Sequence, residues 1–148
     1  ELLALTWENV NLERKTLTVV ASTAKSGRTR HIPLNTEALD VLKRWRKYHK
    51  GSGYVFASNE GERMATVTTS WRKVVAAAKL VDFRFHDLRH TFASHLVMQG
   101  IDLYTVKKLL GHSDFAMTEK YAHLAPDHLA AAVAVLGNRS AVPQARRG

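Results

Sequence analysis

Apolar positions recur along this chain with two periods, one near two residues and one near ~3.6, and the two periods occupy different stretches. Lys15-Thr16-Leu17-Thr18-Val19-Val20 alternates and is β-branched, which predicts a strand. Lys25-Ser26-Gly27-Arg28 has turn composition, and Thr29 to Pro33 reads as the returning strand of a hairpin with a basic tip. From Asn35, a candidate N-cap, to about His49 the period becomes helical. Ala38, Leu39, Val41, Leu42, Trp45 and Tyr48 form the expected inner stripe, with Lys43, Arg44, Arg46 and Lys47 outside. Lys50-Gly51-Ser52-Gly53 ends this helix, and Tyr54-Val55-Phe56 reads as a short strand or extended piece.

The rest of the chain is helical in pattern. One helix is predicted from about Thr68 to Lys79, with Trp71, Val74, Val75 and Ala78 inward. Another runs from about Asp87 to Gln99 and stops at Gly100. Asp102 caps a helix to Leu110, which Gly111 ends. Ser113 or Asp114 starts a short helix holding Thr118 to Tyr121, and an Ala-rich helix spans Asp127 to Leu136. The expected fold is mainly α with a small antiparallel β-sheet near the N-terminus, an α+β domain over residues 1–137. Residues 138–148, with Pro143 and Arg146-Arg147, read as a flexible tail. Glu1-Leu2-Leu3-Ala4-Leu5 opens in mid-pattern like the end of a helix, without a starting Met, so the chain reads as part of a longer protein.

Charge narrows the partners. Lys plus Arg number 22 against 13 for Asp plus Glu, a formal charge of +9. Such an excess suggests a polyanion, nucleic acid before an anionic membrane surface. No apolar run approaches the ~20 residues of a membrane span, and no basic leader opens the chain. The absence of cysteine excludes disulfides and thiolate metal sites and fits a reducing cytoplasm. Hydrophobic residues at 45% and charged residues at 24% give an ordinary globular balance, which argues against disorder outside the ends.

Three local patterns bear on chemistry. The first is Phe85-His86-Asp87-Leu88-Arg89-His90-Thr91-Phe92-Ala93-Ser94, in which His86 and Arg89 share a helix face. The second is Leu109-Leu110-Gly111-His112-Ser113, where the glycine lets His112 project from a turn. The third is Thr118-Glu119-Lys120-Tyr121-Ala122-His123. Taken singly, each has an ordinary explanation: surface decoration, a helix end, a half-buried core tyrosine. Their order in one basic chain is what carries weight.

In that order the chain resembles the tyrosine recombinases, the family of phage integrases and chromosome-dimer resolvases. The H-x-x-R box is His86-Asp87-Leu88-Arg89, the L-L-G-H box is Leu109 to His112, and the nucleophile box ends at Tyr121. Thr23-Ala24-Lys25-Ser26-Gly27 matches the hairpin lysine segment, followed by Arg30-His31-Ile32-Pro33-Leu34. The opening Glu1 to Trp7 looks like the tail of the first arginine box, whose arginine belongs three residues before Glu1. The resemblance runs from Glu1 to about Leu136.

The resemblance implies a site-specific recombinase that cleaves and rejoins DNA through a covalent 3′-phosphotyrosyl bond. Tyr121 would attack; Arg89 and His112 would hold the phosphate; Lys25 would protonate the leaving 5′ oxygen; His86 would orient Tyr121 or take its proton. Glu1 would brace Arg89 from behind. This set needs no metal or nucleotide cofactor. His86 and His90 have i, i+4 zinc-ligand spacing but lack the intervening glutamate of H-E-x-x-H. His90, His95, His123 and His128 are expected to pack or face solvent. Arg28, Arg30, Lys43, Arg44, Arg46, Lys47, Arg72 and Lys73 are candidates for phosphate contacts, although Lys43 to Lys47 equally reads as a solvated helix face.

The expected partners are double-stranded DNA, further copies of the chain docked through the Ala-rich C-terminal helix, and accessory DNA-bending proteins, all in the cytoplasm with the nucleoid. Without the first arginine the chain alone is expected to be inactive or weakly active. The alternative is a non-catalytic DNA-binding relative that regulates recombination. A type IB topoisomerase shares the chemistry, but the Leu-Leu-Gly-His box favours a recombinase.

Overall fold

The computed structural model of this chain describes residues 1–24, 26–48, 53–126, 129–130 and 133–134. Two 3₁₀ turns, Leu2–Ala4 and Trp7–Asn9, lead into strand β1, Val10–Asn11. Strands β2, Thr16–Val19, and β3, Arg30–Pro33, complete an antiparallel sheet in the order β1-β2-β3. Leu17 stands between Val10 and Ile32, and Val19 is opposite Arg30. The hairpin therefore falls where alternation placed it. Strand β1 did not show in the sequence because two residues are too few to alternate. Lys15, at φ +53, reverses the chain ahead of β2.

Helix α1, Thr36–Tyr48, is capped by Asn35, whose side-chain oxygen accepts from the Ala38 N–H at 2.8 Å. Leu39 is buried and Ala38, Leu42 and Trp45 are half-buried. Two expected inner residues face out: Val41 and Tyr48 are exposed. Both lie at the rim of the apolar stripe, roughly a quarter-turn from its centre on an ideal helix. Trp45 anchors the inner face by donating its indole N–H to the Val55 carbonyl at 2.6 Å.

Helix α2, Thr68–Ala77, turns Trp71 and Val75 partly inward, whereas Val74 and Ala78 are exposed, again against expectation. Its only large anchor is Trp71, which meets Phe85 edge-on at 5.2 Å and donates to the Phe83 carbonyl at 3.3 Å. One aromatic needs only a narrow stripe, and Val74 falls outside it.

Helix α3, Asp87–Met98, ends before Gly100 at φ +79, and α4, Leu103–Leu110, ends at Gly111 at φ +70. Asp102 caps α4 by accepting from the Thr105 N–H at 2.9 Å. Helix α5, Ala116–Glu119, is shorter than predicted, so Tyr121 stands in the turn between α5 and a 3₁₀ turn, Ala122–Leu124. The polypeptide is mainly helical with one small antiparallel sheet near its start.

Two apolar clusters hold these elements. Leu5, Trp7, Val10 and Val55 pack with Leu17, Leu42, Trp45 and Phe56 beneath the sheet. Ala93, Val97, Val106, Leu110 and Tyr121 pack where α3, α4 and the Tyr121 turn meet. Burying a valine such as Val97 or Val106 contributes roughly 1.5–3 kcal/mol. The second cluster thus fixes the ends of α3 and α4, from which the conspicuous polar residues emerge. Most of the expected Asp127–Leu136 helix and the whole 138–148 tail lie outside the described residues, as does Lys25.

Candidate active site

A cleft of about 660 Å³ opens where the Tyr121 turn, α3 and the α4–α5 connection converge. Its walls include Glu1, Ser26, His86, Arg89, His90, Gly111, His112, Lys120 and Tyr121. The sequence-predicted His86, Arg89, His112 and Tyr121 therefore face one concavity.

Each side chain is placed by a local feature. Arg89 lies on the first turn of α3, and its guanidinium donates to the Leu110 carbonyl at the end of α4. That bond occupies a carbonyl left free by helix termination and ties the two histidine boxes together. Burial pulls the Arg89 pKa down; Glu1 counters this, Arg30 adds to it, and Tyr121 counters it. His112 follows Gly111, whose left-handed backbone turns the chain out of α4. Its Nδ1 lies 2.8 Å from Oγ1 of Thr118, a fully buried hydroxyl. Burial lowers the His112 pKa, and Arg89 and Lys120 lower it further, so the ring favours its neutral form.

Tyr121 is only 6% exposed, with its ring in the α3–α4 cluster. Its hydroxyl lies 2.6 Å from His90 Nδ1. This partner is His90, expected to pack or face solvent, whereas the resemblance gives the role of orienting Tyr121 or taking its proton to His86. His86 is exposed and meets the His90 ring edge-on, centroids 5.2 Å apart. The sequence held a signal for this: His90 follows His86 by one helical turn, on the side that also carries Arg89. The Lys120 ammonium lies over the Tyr121 ring at 5.2 Å from its centroid. Burial raises the Tyr121 pKa, and Arg89 partly offsets that.

Arg30, a candidate for phosphate contact, has a side chain only 16% exposed and forms an ion pair with Glu1 at 2.7 Å. Its guanidinium sits against Gly111, where an added Cβ would lie 2.7 Å from Arg30 Cζ. Glu1, expected to brace Arg89, has its ion pair with Arg30, and its charge still reaches Arg89. Arg28, Lys43, Arg44, Arg46, Lys47, Arg72 and Lys73 are exposed. Arg46 also lies over the Trp7 ring at 5.3 Å. Among the described residues no helix is long and apolar enough to cross a membrane.

Comparison with known proteins agrees with this geometry. Residues 1–128 match the profile of the phage integrase family. The integrase of Salmonella phage P22 is 33% identical over 136 residues, covering 84% of this chain and 35% of that protein. The tyrosine recombinase XerD of Pseudomonas aeruginosa is 38% identical over 136 residues, covering 84% of this chain and 44% of its own. The chain thus spans less than half the length of either relative. Among solved structures, the catalytic domain of bacteriophage HP1 integrase superposes with a TM-score of 0.64 at 30% identity, covering 90% of this chain and 72% of that one.

Proposed function

Because this chain belongs to the phage integrase family, we propose that it is the catalytic domain of a site-specific tyrosine recombinase that cuts and rejoins double-stranded DNA. The observation that carries this reading is the meeting of Tyr121, Arg89, His112 and His86 in one cleft, with Lys120 beside them. A phosphodiester needs a nucleophile, positive charge on its non-bridging oxygens and a proton for the leaving oxygen.

The Tyr121 oxygen attacks phosphorus and forms an O–P bond while the bond from phosphorus to the 5′ oxygen breaks. Arg89 donates through its planar guanidinium to a non-bridging oxygen. With the Thr118 hydroxyl donating to Nδ1, the His112 proton sits on Nε2, free to donate to the same phosphate. Lys25 supplies the proton to the 5′ oxygen; Ser26, next to it in sequence, lines the cleft. Religation is the reverse of these steps, and the phosphotyrosyl bond conserves the energy for it.

Arg28, Arg44, Lys47, Arg72 and Lys73 contribute phosphate contacts along the duplex. Leu129 and Val133, both exposed and four residues apart, support docking of this C-terminal segment on another copy of the chain. The protein acts in the cytoplasm, on the nucleoid.

The test uses the full gene product and a nicked duplex carrying its own site. A denaturant-stable protein–DNA adduct that maps by mass spectrometry to Tyr121 is the expected result. An adduct on Tyr48, Tyr54 or Tyr104 overturns the assignment.

A further inference from the structure

We propose that His90, rather than His86, is the group that takes the proton from Tyr121 as it attacks. The inference rests on Tyr121 being the nucleophile. It starts from the contact itself: His90 Nδ1 and the Tyr121 oxygen are 2.6 Å apart, within the reach that proton transfer requires. His86 meets the His90 ring, at 5.2 Å between centroids, and is exposed. It therefore acts as a positioning residue that holds the His90 imidazole.

The surroundings keep His90 in the accepting state. Burial disfavours a positive charge on His90; Lys120 and His86 add to this, Asp87 opposes it, and Arg84 adds a little more. The Arg89 cation and the neutral His112 ring complete the titratable groups around the pair. A neutral imidazole with its proton on Nε2 accepts at Nδ1. The Tyr121 hydroxyl is buried and holds its proton tightly at rest. As the oxygen bonds to phosphorus its acidity rises sharply, and the proton passes to His90. One O–P bond forms, one P–O5′ bond breaks, and the imidazolium returns the proton to Tyr121 on religation. Arg89 and His112 are not needed for this transfer, which leaves them to the phosphate.

The experiment measures single-turnover adduct formation against pH in the full gene product on a nicked site. His90→Asn keeps a hydrogen-bonding atom near the Nδ1 position but cannot be protonated near neutrality. It is expected to slow adduct formation by about 100-fold or more. It should also replace the wild-type plateau with a rate that climbs with pH toward the ionisation of tyrosine. DNA affinity should stay unchanged. His86→Asn should keep the wild-type shape of the profile with a smaller loss.

A His90→Asn protein with the wild-type rate, or with a lower rate on an unshifted profile, overturns the proposal. His90→Gln replaces His90→Asn if the latter does not fold. ¹⁵N NMR of the unmodified protein gives an independent reading: a ring carrying its proton on Nδ1 cannot accept, and that result also overturns it. Tyr121→Phe separates the two levels. An adduct that survives in Tyr121→Phe defeats the nucleophile assignment, whereas its loss there with an undisturbed His90→Asn defeats only the role of His90.

Discussion

The Thr118 hydroxyl and His112 Nδ1 lie 2.8 Å apart, and Thr118 has no solvent exposure. A buried hydroxyl needs a partner, so this contact satisfies Thr118 and fixes which ring nitrogen of His112 faces the cleft. Thr118→Val keeps the shape and removes the hydroxyl. Adduct formation should fall by about 10- to 100-fold, the scale of a misplaced catalytic group. Stability should fall by only about 1 kcal/mol. Thr118→Ser should recover most of the activity. An unchanged rate in Thr118→Val would show that the ring is oriented by something else.

Gly111 is held by two independent requirements. Its φ of +70 is the left-handed backbone that ends α4, and Arg30 occupies the space a side chain would fill. Gly111→Ala should lose about 1–2 kcal/mol from the backbone alone. The clash falls on the far end of a flexible side chain, so Arg30 can move, but only by loosening its pair with Glu1. Chemical denaturation of a double-mutant cycle checks this. In an Arg30→Ala background the cost of Gly111→Ala should shrink to the backbone share. Equal costs in both backgrounds would rule out the coupling.

The two histidine boxes were legible because glycines and caps mark helix ends in sequence. Asp102 and Gly111 bracket α4, and with that helix placed, His112 had to project from a turn. The hairpin was legible because its strands alternate. The packing of Arg30 was not legible, for a different reason. Its composition and neighbours are those of a surface strand residue, and its burial depends on Glu1 and Gly111, 29 residues before it and 81 after it. No local pattern encodes such a contact. His90 was nearer to view, since its spacing from His86 is visible, but its role depends on where the turn after α5 delivers Tyr121. That turn follows from α5 ending at Glu119, and element ends are set by packing as much as by local signals.

Tyr121→Phe should separate chemistry from binding. Phenylalanine keeps the ring among Val97, Val106 and Leu110 and removes the only oxygen that can attack. The adduct should disappear while duplex affinity stays within about twofold, because phosphate contacts come from Arg and Lys. His90 loses its hydroxyl partner, so a cost of about 1 kcal/mol in thermal or chemical unfolding is expected. A large drop in affinity would mean that Tyr121 also holds the DNA in the ground state.

Arg28 and Arg30 sit two residues apart yet should respond differently to salt. Arg28 is exposed, whereas Arg30 is paired with Glu1 and packed on Gly111. Binding to duplex releases counterions in proportion to the phosphates neutralised, with a slope of about −0.9 per contact in log affinity against log salt. Arg28→Gln removes a cation free to reach a phosphate, so the slope should become shallower by about 1 and affinity should fall most at low salt. Arg30→Gln removes a charge already matched by the Glu1 carboxylate, whose field also reaches Arg89. The salt slope should stay nearly unchanged, while the unfolding midpoint falls and adduct formation slows. Fluorescence anisotropy across a salt series, with a melt of each variant, distinguishes the two. Identical slope changes in both variants would return Arg30 to the set of surface phosphate contacts and leave the Glu1 pair a feature of the DNA-free protein alone.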